Sequence, residues 1–415
     1  MSNILYVGID AASKSNVACF MDANGNEISK RFSFPNTITG AKQLEEKILS
    51  ITSSNGFVSL FIGTEATSFY DWHLIDYLAC ASSFAHLSPK LYRINAKLIK
   101  NFKRSYPPTD KTDPIDSFSI ADYLRFGRLP ARYQQTQIYF PLQRLTRYRL
   151  HLVKTLTREY NYFLANLFLK FSGFFQQKPL STHTGATSQA LITEFFSPEE
   201  LLSLSTDELV NFIRTHGKNG FADPEAVASA IQQAARESYR LRPELAETVN
   251  LILASILTNI RALKDAINEI NKAIAKEITA FPNTLTSIKG IGPVFAAGIL
   301  AEIGDIKRFH NDASLAKFAG FAWPRKQTGN FEGVDRRLVK ASNKYLRYYL
   351  VEAANVLRVH NTHYKKIYEI KIKEVPKHQH KRALVLIARK LVRLIFALLS
   401  KGQLYQTSLH TQQGQ

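Results

Sequence analysis

The chain has 415 residues, of which 45% are hydrophobic and 21% are charged. It is therefore long enough for two or three folded domains, and its composition excludes a disordered chain. The formal net charge is +20, from 54 Lys and Arg residues against 34 Asp and Glu residues. Such an excess attracts polyanions, so nucleic acid is the first partner to expect and an anionic membrane surface the second.

The two cysteines, Cys19 and Cys80, are too few for a disulfide framework or a Cys-rich zinc site, and they favour a reducing cytoplasm. The first residues, MSNILYVGID, run directly into a strand pattern without a signal sequence, so we expect a cytoplasmic protein. The apolar stretch at 381–399 carries five Lys and Arg residues. That charge favours a basic amphipathic helix that packs on the core over a membrane span.

The first third of the chain reads as an α/β fold with a mixed sheet. Apolar runs and the turn signal Asn24-Gly25-Asn26 predict an antiparallel meander, and strands and helices then alternate. The predicted elements are strands at 4–9, 17–21 and 31–35, a helix at 39–51, a strand at 57–62 and a helix near 69–80.

The remainder is predicted to be mostly helical. The segment 117–172 is helical in pattern, 176–190 reads as a loop, and Ser197-Pro198-Glu199-Glu200 is typical of a helix start. A polar tail follows at 401–415.

A heptad seam precedes a boundary at Pro282, because apolar residues recur at alternating spacings of four and three. This pattern predicts a self-associating coiled coil over 249–278, although an amphipathic helix that packs inside its own domain has the same pattern. The seam residues are Leu253, Ile256, Ile260, Leu263, Ile267, Ile270 and Ile274.

Four carboxylates form the first candidate site. Asp10 ends one predicted strand, Glu65 follows another, and Asp113 and Asp116 open a helix in KTDPIDSF. Carboxylates at strand ends and a helix start can converge at one sheet edge, where a hard cation offsets their repulsion, so we expect Mg²⁺, with Mn²⁺ as an alternative. Asp113 before Pro114 could instead cap its helix, and we interpret Asp110 as a turn residue and Asp122 as a solvated helix residue.

The second candidate site is the segment IKGIGPVFAAGIL. Gly290 and Gly292 before an apolar helix can point backbone N–H groups at a phosphate, although tight helix-hairpin turns use the same residues structurally.

The third candidate site is the segment from 318 to about 358. Basic residues alternate there with Trp323, Phe331, Tyr345, Tyr348 and Tyr349, which suits phosphate neutralisation and base stacking, although several of these rings must be core residues. Thr328 before Gly329 offers a hydroxyl that could attack phosphorus, or is an ordinary loop threonine. The residues expected to contact nucleic acid are Lys289, Gly290, Gly292, Arg325, Lys326, Arg336, Arg337, Lys344 and Arg347.

These segments together resemble the DEDD transposases of bacterial and archaeal insertion sequences, a group that includes bridge-RNA-guided recombinases. The resemblance rests on VGIDAASKSNVACF, IGTEATSFY and KTDPIDSFSIADYLR near the start, and on IKGIGPVFAAGILAEIGDIKRF, KFAGFAWPRKQTGNFEG and NKYLRYYLVEAAN near the end. The segments occur in the order that the family has.

The resemblance implies an RNase H-like, RuvC-like catalytic domain at 1–135, a helical linker with a coiled coil at 136–281, a helical C-terminal transposase domain at 282–400 and a tail. It implies that Asp10, Glu65, Asp113 and Asp116 form a magnesium-binding catalytic tetrad. It also implies that Thr328, at the position of the family's serine, is the nucleophile. Two further departures from the family pattern are Ser117 and Ser342.

The sequence therefore predicts a transposase that cleaves and exchanges DNA strands, with a non-coding guide RNA and a homo-oligomer of two or four subunits implied by the resemblance. Two alternatives remain from the residues. One is a metal-dependent junction endonuclease without a covalent intermediate, and the other is a catalytically inactive nucleic-acid-binding protein.

Overall fold

The structure is a computed structural model that describes residues 3–66, 68–106, 113–133, 138–218, 220–323, 327–328, 331–332, 338–339, 342–374 and 376–406. For 113–115, 327–328 and 331–332 it describes the backbone only. The chain forms two compact units, Met1–Gln137 and Ile138–Gln415. Within the second unit, the division into a linker and a C-terminal domain stays a prediction.

The first unit contains a five-stranded mixed sheet in the order β3-β2-β1-β4-β5. The first three strands are antiparallel, while β4 is parallel to β1 and β5 is parallel to β4. This confirms the mixed sheet and is consistent with an RNase H-like fold; the fifth strand was not predicted. The strands are β1 (Ile4–Ala11), β2 (Ser15–Met21), β3 (Phe32–Pro35), β4 (Ser59–Glu65) and β5 (Lys90–Ile94).

Helices cover both faces of this sheet. Successive side chains of a strand point to opposite faces, and β1 has buried apolar residues on both. Leu5, Val7 and Ile9 belong to the core on one face, together with buried residues of the first two helices. Tyr6 belongs to the core on the other face, where the fourth helix packs. The helices of this unit are α1 (Ile38–Asn55), α2 (Trp72–Cys80), α3 (Ala96–Lys103) and α4 (Asp113–Phe126).

Helix α4 packs unusually close to the sheet at Gly8. A Cβ on this residue would lie 2.3 Å from both the Ser117 carbonyl oxygen and the Ala121 nitrogen. Only glycine allows this approach, and the position of α4 relative to β1 therefore depends on a missing side chain.

The second unit is built on two long helices, α5 (Phe140–Lys170) and α11 (Pro243–Glu277), which pack along each other. Between them in the chain come five shorter helices, which pack on the pair. The Ser197 side chain accepts a hydrogen bond from the Glu200 N–H, as the predicted helix start requires, whereas the predicted loop at 176–190 already contains the start of a helix. The shorter helices are α6 (Phe174–Gln177), α7 (Ala186–Glu194), α8 (Pro198–Ser203), α9 (Thr206–Gly217) and α10 (Pro224–Arg236).

The heptad seam of α11 is filled inside the chain. Leu253, Ile256 and Ile260 share a buried cluster with Phe163 and Leu167 of α5. The alternative interpretation of the periodicity, an amphipathic helix that packs in its own domain, therefore accounts for the pattern. The coiled coil between subunits stays a prediction.

The rest of the second unit is helical around one apolar cluster, except for a short hairpin. The last helix has the predicted amphipathic form, with Ile387, Leu391 and Ile395 fully buried. No helix in the described ranges combines the length and apolarity needed to span a membrane. The elements are α12 (Pro293–Ile303), α13 (Asp312–Ala319), β6 (Gln327–Thr328), β7 (Phe331–Glu332), α14 (Lys344–His360), α15 (Thr362–Lys373) and α16 (Gln379–Lys401).

Candidate active site and nucleic-acid interface

Asp10 and Glu65 lie next to each other at the carboxyl ends of two parallel strands. Ile9 of β1 is paired with Thr64 of β4, so the next residue on each strand is the carboxylate. Glu65 is the last residue of β4 rather than the first residue after a strand. Because side chains alternate along a strand, both carboxylates occupy the face on which Gly8 lies, which is the face covered by α4.

The amino-terminal end of α4 lies at this same edge of the sheet. The opposite end carries Arg125, which packs beside Gly25 in the turn between β2 and β3, and that turn belongs to the other edge. Asp116, in the second turn of α4, is half-buried and forms an ion pair with Lys103 at the end of α3. The backbone of Asp113 starts the helix, while its side chain lies outside the described residues.

This arrangement brings two predicted metal ligands together and places the helix with the other two at the same edge. Among the described side chains, no group of three or more Asp, Glu, His or Cys residues is close enough to hold a metal ion. The donors are all carboxylate oxygens, which are the ligands that Mg²⁺ prefers. The chemistry of Asp10, Glu65 and Asp116 therefore fits the ion that the sequence predicted.

Asp122 is not the solvated residue that we expected. It is 8% exposed, and its carboxylate accepts hydrogen bonds from the Tyr106 hydroxyl and, at 2.7 Å, from Arg125 Nε. Burial and this carboxylate raise the pKa of the Tyr106 hydroxyl. Arg125 follows Asp122 by three residues on the same helix, a pair that the helical spacing allowed, whereas the contact with Tyr106 could not be seen from the spacing. Asp110 lies outside the described residues.

In the second unit, a buried carboxylate connects three helices. Glu302, in the last turn of α12, has a fully buried side chain that accepts hydrogen bonds from Arg147 Nε at 2.7 Å and Nη2 at 2.9 Å. It also accepts one from Asn343 Nδ2 at 2.7 Å. The Arg147 guanidinium lies 4.4 Å from the centre of the Tyr345 ring. Sequence reasoning missed this cluster, although a lone Glu in the apolar run GILAEIG was a signal for it.

Arg347 closes the base of the segment that contains Thr328. Its guanidinium donates to the carbonyl oxygens of Ala319 at 3.2 Å and Gly320 at 3.1 Å on one side, and of Val339 at 2.6 Å on the other. Backbone hydrogen bonds add to this closure, including one from Val339 N to Ala322 O at 3.1 Å. Nε and Nη2 of Arg347 thus have partners within the protein, and its contact with nucleic acid stays a prediction.

Thr328 itself lies on β6 of a two-stranded hairpin, paired with Phe331 of β7. Only the backbone is described there, and the predicted nucleic-acid contacts Arg325, Lys326, Arg336 and Arg337 lie outside the described residues. Of the predicted base-stacking rings, Tyr349 is a core residue that is fully buried, and its hydroxyl donates to Thr146 O at 2.6 Å.

The remaining predicted contacts lie on the surface. Gly290 has φ +101°, in the region that favours glycine, and a Cβ on Gly292 would meet nothing within 4 Å. The neighbouring Lys289 is exposed, as is Lys344 at the start of α14. Gly292 is the N-cap of α12 and makes no side-chain cap, so the helix presents free backbone N–H groups beside a lysine.

Taken together, a mixed sheet with paired carboxylates at its edge and a basic helical unit are consistent with a nucleic-acid enzyme of the RNase H-like class. Comparisons with known proteins show the family. The DEDD transposase model of the IS110 type matches residues 7–171, and the model of the IS116/IS110/IS902 transposase family matches residues 283–369. The chain belongs to the DEDD transposase family of insertion sequences.

Individual proteins that are similar to this chain also come from insertion sequences. The chain is 30% identical over 174 residues to the transposase for insertion sequence element IS1111A of Coxiella burnetii, a match that covers 41% of this chain and 47% of that protein. It is 24% identical to the insertion element IS116 uncharacterized 44.8 kDa protein of Streptomyces clavuligerus, over 97% of this chain and 96% of the relative. It is 25% identical to the insertion element IS110 uncharacterized 43.6 kDa protein of Streptomyces coelicolor, over 39% of this chain and 40% of the relative.

Proposed function

We propose that this protein excises and inserts an insertion sequence by cutting and rejoining DNA strands. The observation that carries the proposal is the adjacency of Asp10 and Glu65 at the strand ends, next to the helix that contains Asp113 and Asp116. The excess of basic residues and the two transposase matches support DNA as the substrate.

Asp10, Glu65, Asp113 and Asp116 are the residues that would hold Mg²⁺, which when bound offsets the negative charge that develops on a phosphodiester under attack. In the protein without metal, the Lys103 ammonium group pairs with the Asp116 carboxylate and supplies positive charge beside it. Lys103 thus orients the Asp116 carboxylate before DNA arrives.

Thr328 is the proposed nucleophile. Its hydroxyl loses a proton and forms an ester bond to phosphorus, while the bond from phosphorus to the leaving deoxyribose oxygen breaks and that oxygen takes up a proton. Attack by the hydroxyl of a new strand reverses the step and releases Thr328, so no external energy source is needed. The closed base formed by Arg347 would limit the positions that this hydroxyl can reach.

A denaturing gel with labelled element-junction DNA, the transcript flanking the element and Mg²⁺ tests the proposal. We expect a labelled band at protein size for wild type, none for Thr328→Ala and a stronger band for Thr328→Ser, because serine lacks the methyl group that restricts rotation. Cleaved DNA without such a band would instead identify a hydrolytic nuclease, and bound but intact DNA an inactive binding protein. Unchanged excision by Asp10→Asn and Glu65→Gln would remove the metal site from the proposal.

A guide RNA and self-association are further parts of the proposal, and both rest on family resemblance. Sequencing the RNA that copurifies with the protein tests the first; a single transcript from beside the element is expected, and RNA of random cellular origin would contradict it. Light scattering of the protein with and without junction DNA tests the second. We expect a dimer or tetramer, and a persistent monomer on DNA would contradict it.

A further inference from the structure

We propose that a cleft at the catalytic edge of the first unit binds one unpaired nucleobase of the DNA strand. The inference rests on the proposed function, because it takes the carboxylate edge to be where DNA is cut. The cleft has a volume of about 680 Å³, which is ample for a single base.

Three chain segments that leave the sheet at this edge form the walls of the cleft. Ser13 comes from the turn after β1, Asn36 and Thr37 from the connection between β3 and α1, and Phe69 and Tyr70 from the connection between β4 and α2. Strands β1 and β4 are the ones that deliver Asp10 and Glu65. The cleft therefore opens within a few residues of both carboxylates along the chain.

The rim of the cleft exposes large flat and apolar side chains. Tyr70 is 51% exposed, Phe69 44% and Ile38 62%. An aromatic ring at a surface offers a face on which any base can stack, and such stacking is sequence-tolerant.

The loop that presents these rings is held rigidly. Asp71 is 1% exposed; its carboxylate accepts hydrogen bonds from Thr64 Oγ1 at 2.9 Å and from Arg93 Nε at 2.6 Å and Nη2 at 2.7 Å. Arg93 also donates to the Ser68 carbonyl at 3.2 Å. A buried ion pair therefore fixes the backbone on both sides of the two exposed rings.

Asn36 joins the opposite walls. Its Nδ2 donates to the Ala12 carbonyl at 2.8 Å and to the Tyr70 carbonyl at 2.9 Å. The turn after β1 and the aromatic loop are thus held at a constant separation. A cleft whose walls are already in place loses little conformational entropy when a ligand enters.

The charges favour a base in the cleft and a phosphate outside it. Among the described residues that line the cleft, none is Lys or Arg, and the lining includes Asp76, which would repel a phosphate. His73, Thr37 and Asn36 supply polar groups at which a base edge could be read. Lys14 is exposed on the turn beside Ser13, where it would neutralise the backbone of an entering strand.

Photo-crosslinking of the full-length protein to single-stranded DNA that contains 5-iododeoxyuridine tests this inference. We expect the adduct on the peptide that contains Phe69 and Tyr70. Tyr70→Ala should reduce the adduct and weaken single-strand binding about tenfold, the size of effect that loss of one stacked ring produces. Tyr70→Phe, which keeps the ring, should retain both, and Tyr162→Ala, which removes a 57% exposed ring on α5, should change neither.

Adducts confined to other peptides, or equal binding by Tyr70→Ala and wild type, would overturn the inference. The inference would also be overturned if Tyr70→Ala changed only the oligomeric mass measured by light scattering. That result would show that the cleft is a contact between copies of the chain. Asp10→Asn should keep the adduct while it abolishes strand cleavage. The adduct therefore reports on the cleft, and the gel with junction DNA reports separately on the proposed reaction.

Discussion

The side chain of Asn343 joins the end of α12 to the start of α14, because its Nδ2 donates to the buried Glu302 carboxylate at 2.7 Å. Its Oδ1 meanwhile accepts hydrogen bonds from the backbone N–H groups of Tyr345 and Leu346, both at 3.0 Å. One amide therefore caps α14 and ties it to Glu302. The segment with Thr328 ends directly before this cap, so the Glu302 cluster fixes the point at which the chain enters α14.

Glu302→Leu is expected to destabilise the second unit by about 3 kcal/mol or more, because removal of one partner of a buried ion pair leaves the other unpaired. Arg147 would lose its bidentate partner and Asn343 one acceptor. Urea unfolding followed by circular dichroism measures the loss. Glu269→Leu removes a carboxylate paired with Lys272 that is 70% exposed, and it should change stability by well under 1 kcal/mol. Equal losses of stability in both variants would show that burial of the Glu302 carboxylate does not determine its contribution to stability.

Gly8→Ala is expected to disturb the catalytic edge although it adds only a methyl group. The new Cβ would lie 2.3 Å from the backbone of α4, so the helix that carries Asp116 must move, at a cost of about 1–3 kcal/mol. We expect a lower melting temperature together with loss of strand cleavage. Gly292→Ala, whose Cβ meets nothing within 4 Å, should lower the melting temperature less, by the cost of a poorer N-cap alone. Normal cleavage by Gly8→Ala would show that the site tolerates displacement of α4.

The sequence predicted the positions of site residues well where the prediction depends only on a residue and the strand that contains it. The apolar run of β1 predicts that Asp10 is at a strand end, and the same reasoning gave Glu65 to within one residue. The short strand Lys90–Ile94 was missed because KLYRI has two basic residues in five and lies at the edge of the sheet. There, parallel pairing with β4 stabilises a segment that its own residues only weakly favour.

Longer-range relationships could not be predicted in this way. The periodicity of α11 shows that one face is apolar, but it does not show which helix covers that face, and α5 of the same chain does so. Likewise, the donors of Arg347 are used by carbonyl groups from residues 319, 320 and 339. The composition of a basic segment did not show these hydrogen bonds, and the contact of Arg347 with nucleic acid stays a prediction.

Lys170 is expected to make stability depend on pH above neutrality. The residue is 3% exposed, and its ammonium group donates to the Ile192 carbonyl at 2.6 Å and to the Asn250 side chain. Burial lowers its pKa from 10.5 to about 8. The unfolded chain therefore binds more protons than the folded one between these pH values, and the free energy of unfolding should rise with pH there.

The rise due to this group should be about 2 kcal/mol between pH 7.5 and pH 9.5. Urea unfolding across that range measures it. Lys170→Met, which cannot titrate, should lack the rise, whereas Lys154→Met, which removes an exposed lysine of the same helix, should keep it. If wild type and Lys170→Met have parallel pH profiles, the lysine is not responsible.

Lys103→Gln is expected to lower the Mg²⁺ concentration that half-maximal strand cleavage requires. Lys103 pairs with Asp116, so a cation that binds Asp116 must compete with its ammonium group for the carboxylate. Without that competitor we expect the half-maximal concentration to fall several-fold, although the maximal rate can fall as well if Lys103 orients Asp116. A Mg²⁺ titration of cleavage at constant ionic strength separates the two quantities.

Lys100→Gln is the matched control. Lys100 is an exposed residue of the same helix, and its substitution removes the same charge from the protein. A shift that occurs equally in both variants would reflect the general field of the protein on Mg²⁺ and DNA. A shift confined to Lys103→Gln would place the metal at Asp116. No shift in either variant would mean that Mg²⁺ does not compete with Lys103 for the Asp116 carboxylate.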